Sequence, residues 1–225
     1  MGLILNLETS TTNCSVSLAK DGEILTLKEL NSANYSHAEK LHVFINEVMQ
    51  ESGKQMQDLD AIAVSKGPGS YTGLRIGVSA AKGLCYALDK PLISVSTLKS
   101  MASQLMSEDE NVIIIPVLDA RRMEVYSAVF DGQLHQIRET KAEIIDENSF
   151  QEYRDLKSVH FLGSGAEKIK EVLSGEHITN HCNVIPSAKE MATISHQKFV
   201  KNDFENLAYF EPYYLKDFVL QNKKK

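Results

Sequence analysis

Cysteine is scarce in this chain of 225 residues: Cys14, Cys85 and Cys182 are its three. They are too few and too scattered for a disulfide framework or a zinc cluster, so a reducing, cytoplasmic setting is expected. Long apolar runs are missing too. The longest stretch without a charged or strongly polar side chain is Val112–Leu118, interrupted by Pro116, well short of the ~20 residues of a membrane helix. Met1-Gly2-Leu3 runs straight into strand-like sequence, which predicts no secretory leader. Positive charge is in deficit, with 24 Lys+Arg against 30 Asp+Glu and a formal charge of -6. Such a chain is ill-suited to grip nucleic acid by itself, because that affinity comes largely from neutralising phosphates. The deficit sits mainly in the second half, where residues 107–225 hold fifteen basic and twenty acidic side chains, against nine and ten in residues 1–106. The terminal Lys223-Lys224-Lys225 reads as a solvated end, a minor polyanion contact at most.

What is present is ample for a core, at 43% hydrophobic residues. Leu3–Leu7 reads as a strand ending in Glu8-Thr9-Ser10-Thr11-Thr12, followed by a hairpin, Cys14–Lys20 and Glu23–Leu30, closed by Asp21-Gly22. Val112–Leu118, Asp119-Ala120-Arg121-Arg122, Glu124–Phe130, Asp131-Gly132 and Gln133–Ile137 repeat that order at an offset of about 110 residues. An internal duplication of one α/β unit follows, with domains at 1–104 and 105–225 and a linker in Met101–Asn111. Ser36-His37-Ala38-Glu39 has the form of a capping box opening a helix to Glu51. Ala61–Val64 is a strand, Leu74–Leu88 a helix, Pro91–Val95 and Val159–Leu162 strands, Glu167–Leu173 and Ser187–Val200 helices, and Glu211–Leu215 an extended tail.

Three turns invite a phosphate-binding reading, because a tight turn feeding a helix offers free amides and the positive end of the helix dipole. Gly67-Pro68-Gly69-Ser70-Tyr71-Thr72-Gly73 is neither a Walker loop nor Gly-x-Gly-x-x-Gly, and its glycines equally serve unusual backbone angles. Glu8 and Asp119 end the duplicated strands, where an ATPase of this architecture would hold a metal and orient water; capping or stabilisation of the turn is the alternative. Gly163-Ser164-Gly165-Ala166 is the better nucleotide candidate, or else a plain strand-to-helix turn. His37 and His42 stand about 140° apart on a helix and do not share a face as zinc pairs do. The other histidines show no ligand spacing, no Cys-x-x-Cys occurs, and no metal site is expected. Nor does any serine sit in a Gly-x-Ser-x-Gly elbow.

Leu7-Glu8-Thr9-Ser10, Ser36-His37-Ala38-Glu39-Lys40-Leu41, Ser65-Lys66 with Gly67 to Gly77, and Leu118-Asp119-Ala120-Arg121-Arg122-Met123-Glu124-Val125-Tyr126 closely resemble the TsaB (YeaZ) family. The resemblance implies an actin-like (ASKHA, sugar kinase and Hsp70-related) α/β fold of two duplicated domains. It implies a non-catalytic scaffold that pairs with TsaD, the enzyme that transfers threonylcarbamoyl to the adenosine beside the anticodon of tRNAs reading codons that begin with A. TsaE, an ATPase, completes the assembly, and tRNA is met only through it. The pairing helices correspond to Ser36–Glu51 and Thr72–Leu88, so His37, Leu41, Phe44, Val48, Arg75, Ile76, Gly77 and Ala80 are expected at the partner interface. No catalytic residue and no cofactor of its own are expected, with ATP or ADP at the junction with TsaD. Glu8, Ser10, Gly67, Gly69, Asp119, Gly163 and Gly165 are the nucleotide candidates. Glu8 stands where ATPases of the fold usually carry Asp, which puts intrinsic ATPase activity in doubt. A surface made to pair with a structural relative could also pair with itself. A stand-alone ATP-dependent phosphotransferase using Glu8 and Asp119 is the alternative, and a metalloprotease, which would need bound metal, a third.

Overall fold

Alternating side chains on the first strand, β1 (Leu3–Glu8), send Leu3, Leu5 and Leu7 to one face and Ile4, Asn6 and Glu8 to the other, and all six are buried. A strand covered on both faces belongs in the middle of a sheet. In the computed structural model, which describes residues 1–32, 36–154 and 158–215, β1 is the middle strand of five. It pairs antiparallel with β2 (Asn13–Lys20), which hairpins into β3 (Glu23–Asn31), and parallel with β4 (Ala61–Gly67), beyond which lies β5 (Leu92–Ser96). The sheet order is β3-β2-β1-β4-β5. A second sheet is built from β6 (Val112–Asp119), β7 (Glu124–Asp131), β8 (Gln136–Ile144), β9 (Ser158–Leu162) and β10 (Ile178–His181). Its order, β10-β9-β6-β7-β8, has the same pairing senses. Strand, hairpin and two parallel neighbours thus occur twice, as the repeat of acidic strand ends and Asp-Gly turns predicts.

Helices α1 (His37–Glu51) and α2 (Tyr71–Leu88) cover the Leu3-Leu5-Leu7 face, packing Leu41, Ile45, Val48, Val78, Ala81 and Cys85 against it. The opposite face is closed by α6 (Ala188–Val200), whose Ala188, Met191 and Ile194 meet Ile4, Ala63 and Ile93. Here the polar members of β1 and β2 find partners: Ser195 Oγ donates to Asn6 Oδ1 at 2.7 Å, and Ser17 Oγ donates to the Ala188 carbonyl at 2.8 Å. In exchange, α3 (Thr97–Ala102) lays Leu98, Met101 and Ala102 on Ile114, Leu118, Phe130 and Leu162 of the second sheet. The other face of that sheet packs on α5 (Ala166–Val172), and a short helix, α4 (Gln151–Arg154), precedes β9. Each half of the chain therefore covers part of the other half's sheet. After α6, residues 204–214 return to the first sheet: Glu205 N donates to the Leu92 carbonyl at 2.9 Å and Tyr213 N to the Lys66 carbonyl at 2.7 Å. Residues Lys223–Lys225 lie outside the described residues.

Several boundaries differ from expectation for local reasons. Ser36 does not form the expected capping box with Glu39. Its φ of -99° and ψ of 14° are not the extended backbone that aims a hydroxyl at the first-turn amides, and its carbonyl takes the Glu39 and Lys40 amides instead. The second helix starts at Tyr71 rather than Leu74, because Ser70 Oγ accepts from Gly73 N. The strand expected at Gln133–Ile137 begins at Gln136 and runs to Ile144, since Asp131 Oδ1 captures the Gln133 and His135 amides and holds a turn there. Met101 and Ala102, expected in a linker, are helical and fully buried.

The second sheet also pairs two histidines that spacing in the sequence did not connect. His160 Nδ1 lies 3.1 Å from His181 Nε2, with the rings stacked at 5.4 Å. One ring must donate and the other accept, so both cannot be protonated. Burial, and then the His181 charge, hold the His160 pKa below the ordinary value of 6.5; burial also lowers that of His37. The folded state binds fewer protons than the unfolded chain, so this stability is full above pH 6.5 and is lost as pH falls below it. The urea midpoint is expected to drop between pH 7.5 and 5.5, and His160→Gln to flatten that slope. An equal slope in the variant would refute the assignment.

Candidate functional site: a helix groove and the strand-end turns

The groove forms because α2 carries glycine where it crosses the end of β1. A Cβ on Gly73 would stand 2.1 Å from the Thr9 carbonyl oxygen, and one on Gly77 2.3 Å from Thr9 Oγ1. Thr9 Oγ1 donates to the Gly73 carbonyl at 2.8 Å and locks this approach. On α1, His37 is buried with Nε2 donating to the Thr11 carbonyl at 2.7 Å. Between the outward faces of α1 and α2 runs an open groove of about 760 Å³, walled by Ala38, His42, Tyr71, Arg75, Ile76, Ala80 and Gly83 among others. Its floor is made of small side chains, which lets another helix approach closely.

The expected interface residues divide accordingly. Arg75, Ile76 and Ala80 line the groove, and Phe44 is half-buried against the core beneath it. His37, Leu41, Val48 and Gly77 are corrected: all four are buried within the chain's own core, so they position the helices and cannot touch a partner. Sequence reasoning missed Tyr71 and Ser79 as groove residues, although with Arg75 midway between them, four residues from each, they share one helix face. It also missed Tyr214. Arg75 Nε donates to Tyr214 Oη at 3.1 Å, the Arg75 guanidinium carbon sits 4.1 Å from the Tyr71 ring centre, and the two tyrosine rings stand 5.0 Å apart. The cluster Pro212-Tyr213-Tyr214 was the available signal.

The nucleotide candidates do not form an open cradle. Glu8 is buried at the end of β1, with Oε1 accepting from Ser10 N at 2.6 Å and Ser65 Oγ at 3.0 Å, while Oε2 and Ser10 Oγ are buried without partners. Burial pushes the Glu8 pKa up against these lowering hydrogen bonds. The expected phosphate turn is filled by the chain itself: a Cβ on Gly69 would meet the Ser10 carbonyl oxygen at 2.4 Å, and one on Gly67 the Tyr213 carbonyl oxygen at 3.0 Å. In the second half a Cβ on Gly163 would stand 2.4 Å from Met101 Cε, and one on Gly165 3.0 Å from Val125 Cγ1. These glycines serve close packing. Asp119 is exposed, and its Oδ1 accepts from Arg121 N at 2.6 Å and Lys168 Nζ at 2.8 Å, so it caps its own turn. The three cysteines are free, and burial pushes the Cys14 and Cys85 thiols up to about 11 and about 12, which leaves them unreactive. No helix among the described residues is long and apolar enough to cross a membrane.

Two copies of a five-stranded mixed sheet, each with a hairpin on one side of its middle strand and parallel strands on the other, define an actin-like α/β protein. YeaZ from Pseudomonas aeruginosa has this fold: it superposes with a TM-score of 0.83 at 24% identity, covering 96% of this chain and 100% of that one. The TsaB protein of Escherichia coli is 30% identical over 98% of this chain and 97% of its own length, and that of Haemophilus influenzae 29% identical over 98% and 96%. The model of the family described as TsaD, tRNA N6-adenosine threonylcarbamoyltransferase, matches residues 31–224. The chain belongs to the TsaB family, within that wider group. The threonylcarbamoyltransferase of Staphylococcus aureus is itself 43% identical over 108 residues, 41% of this chain and 32% of that protein.

Proposed function

We propose that this chain acts in tRNA threonylcarbamoyladenosine synthesis as a non-catalytic subunit, docking its α1/α2 groove on the threonylcarbamoyltransferase TsaD. The observation that carries the reading is the groove itself, an exposed surface floored by Ala80 and Gly83 and flanked by Ile76 and Arg75. The names of the relatives, tRNA threonylcarbamoyladenosine biosynthesis proteins, supply the pathway. A catalytic role of its own loses support at Glu8 and Asp119: Glu8 is buried with Oε1 engaged by Ser10 and Ser65, and Asp119 Oδ1 is engaged by the Arg121 amide and Lys168. With the Gly67–Gly69 and Gly163–Gly165 turns filled from within, we place any ATP or ADP of the assembly with the partner or at the junction, and TsaE as a further member. The net charge of -6 fits a subunit that meets tRNA through the complex. The free chain, lacking its partner, could cover the same groove with a second copy.

Reconstitution tests this. Purified TsaD, TsaE, the enzyme that makes threonylcarbamoyl-adenylate, tRNA, threonine, bicarbonate and ATP are combined with and without this chain. Modified adenosine is expected only with it, and neither ATP hydrolysis nor modification from the chain alone. Full modification in its absence overturns the proposal.

A further inference from the structure

Among the described residues, Arg75 is the one cation on the wall of a groove otherwise lined by apolar, small and neutral polar groups and by His42. An exposed arginine ordinarily gains little from a fixed pose, since it keeps its water and loses rotamer freedom. This one is held by two tyrosines. Its guanidinium lies over the Tyr71 ring at 4.1 Å, within 5.9 Å of the Tyr214 ring centre, and its Nε donates to Tyr214 Oη. Tyr214 is in turn placed by the returning segment: Tyr213 N binds the Lys66 carbonyl, and Lys82 Nζ, also on α2, donates to the Ala208 and Phe210 carbonyls at 3.2 and 3.0 Å. With the bond through Nε and the ring beneath, neither Nη group has a hydrogen-bond partner among the described residues; Arg75 forms no ion pair among them either, although the Glu211 charge acts on it. Two parallel Nη donors in a fixed plane match a carboxylate.

We propose that Tyr71 and Tyr214 clamp Arg75 as a preformed receptor for a carboxylate side chain of the docked partner, which makes the returning segment 205–214 part of the docking surface. This rests on the reading of the groove given above. Preordering the guanidinium before contact removes an entropy cost that a free arginine would meet on binding. Tyr214 is a positioning residue, acting through Arg75.

Calorimetry of the full chain with purified TsaD, in nucleotide-free buffer and with ADP, tests the clamp. Arg75→Lys keeps the charge but loses the fork, and is expected to weaken binding about tenfold. Tyr214→Phe keeps the ring and loses the tether, for a loss of about threefold with an unchanged melting temperature. The double variant is expected to match Arg75→Lys alone, because the tether has nothing left to hold. Wild-type affinity in Arg75→Lys, or losses that multiply in the double variant, overturn the proposal. An effect of Arg75→Lys that appears only with ADP also overturns it, since the anion is then a phosphate. Failure of the unmodified chain to bind at all would instead bring down the reading of the groove.

Discussion

Gly73→Ala is expected to destabilise the protein by about 3 kcal/mol, at the upper end of ordinary overpacking, whereas Gly83→Ala, ten residues further along α2, is expected to stabilise it by about 0.5–1 kcal/mol. Both are helical glycines, and helix propensity alone predicts a gain at each. The difference lies in what the methyl meets: the Thr9 backbone carbonyl at 2.1 Å at Gly73, and nothing within 4 Å at Gly83. A carbonyl in the middle of a packed sheet end cannot swing aside as a side chain tip can, so α2 must lift away from β1 and take the Thr9–Gly73 hydrogen bond with it. Urea unfolding at pH 7.5 reads the result as opposite shifts of the midpoint with unchanged slopes. Equal shifts in the two variants would mean that the close approach of α2 to Thr9 is not what holds the helix.

Ala80→Glu is expected to weaken TsaD binding about 100-fold or more, equivalent to about 2.7 kcal/mol, with little change in the stability of the isolated chain. Ala80 is half-buried on the groove floor, where a longer, charged side chain would fill the space that close approach of a partner needs and would lose water as the groove closes. Ser79→Arg, at an exposed neighbour, is the companion variant in case the introduced carboxylate disturbs the helix. Native-like far-ultraviolet dichroism with lost co-elution supports the groove; retained binding by both variants removes it. Gly77, which the sequence also offers for this experiment, is unsuitable. Its Cβ would meet Thr9 Oγ1 at 2.3 Å, so a large side chain there would unfold the chain rather than unpair it.

Much of the fold was legible because local and global signals agreed. The acid-ended strands, the Asp-Gly hairpins and the small-residue turns repeat in order, and both sheets follow that order. The exchange of helices was not legible. Thr97–Ala102 and Ala188–Val200 are apolar enough to cover a sheet, but nothing in either segment says which sheet, because that choice is made by long-range packing. Asn13, Ser15 and Ser17 show why alternation alone misleads: their polar groups face helix α6 and its leading turn and are buried. At the groove, the family resemblance singled out α1 and α2, but the residues expected to face a partner included the inward stripe, Leu41 and Val48, which the sheet buries. Which stripe faces the sheet depends on where the helix lies across it, and the glycines at 73 and 77 mark that side. Tyr214 lies 139 residues from Arg75 in sequence, a pairing that no local pattern reports.

The exchange of α3 and α6 also sets the order in which the protein can mature on the ribosome. When the first half has left the exit tunnel, its sheet has α1 and α2 on one face, but Ile4, Ala63 and Ile93 on the other are still bare, and β5 still lacks Glu205 along its edge. Those groups are covered only after Val200 and the returning segment have been made. Synthesis therefore leaves an apolar sheet face waiting for most of the chain's length, which favours its capture by nascent-chain chaperones. The two halves reach their native state together, at the end of translation, although their sheets share one topology.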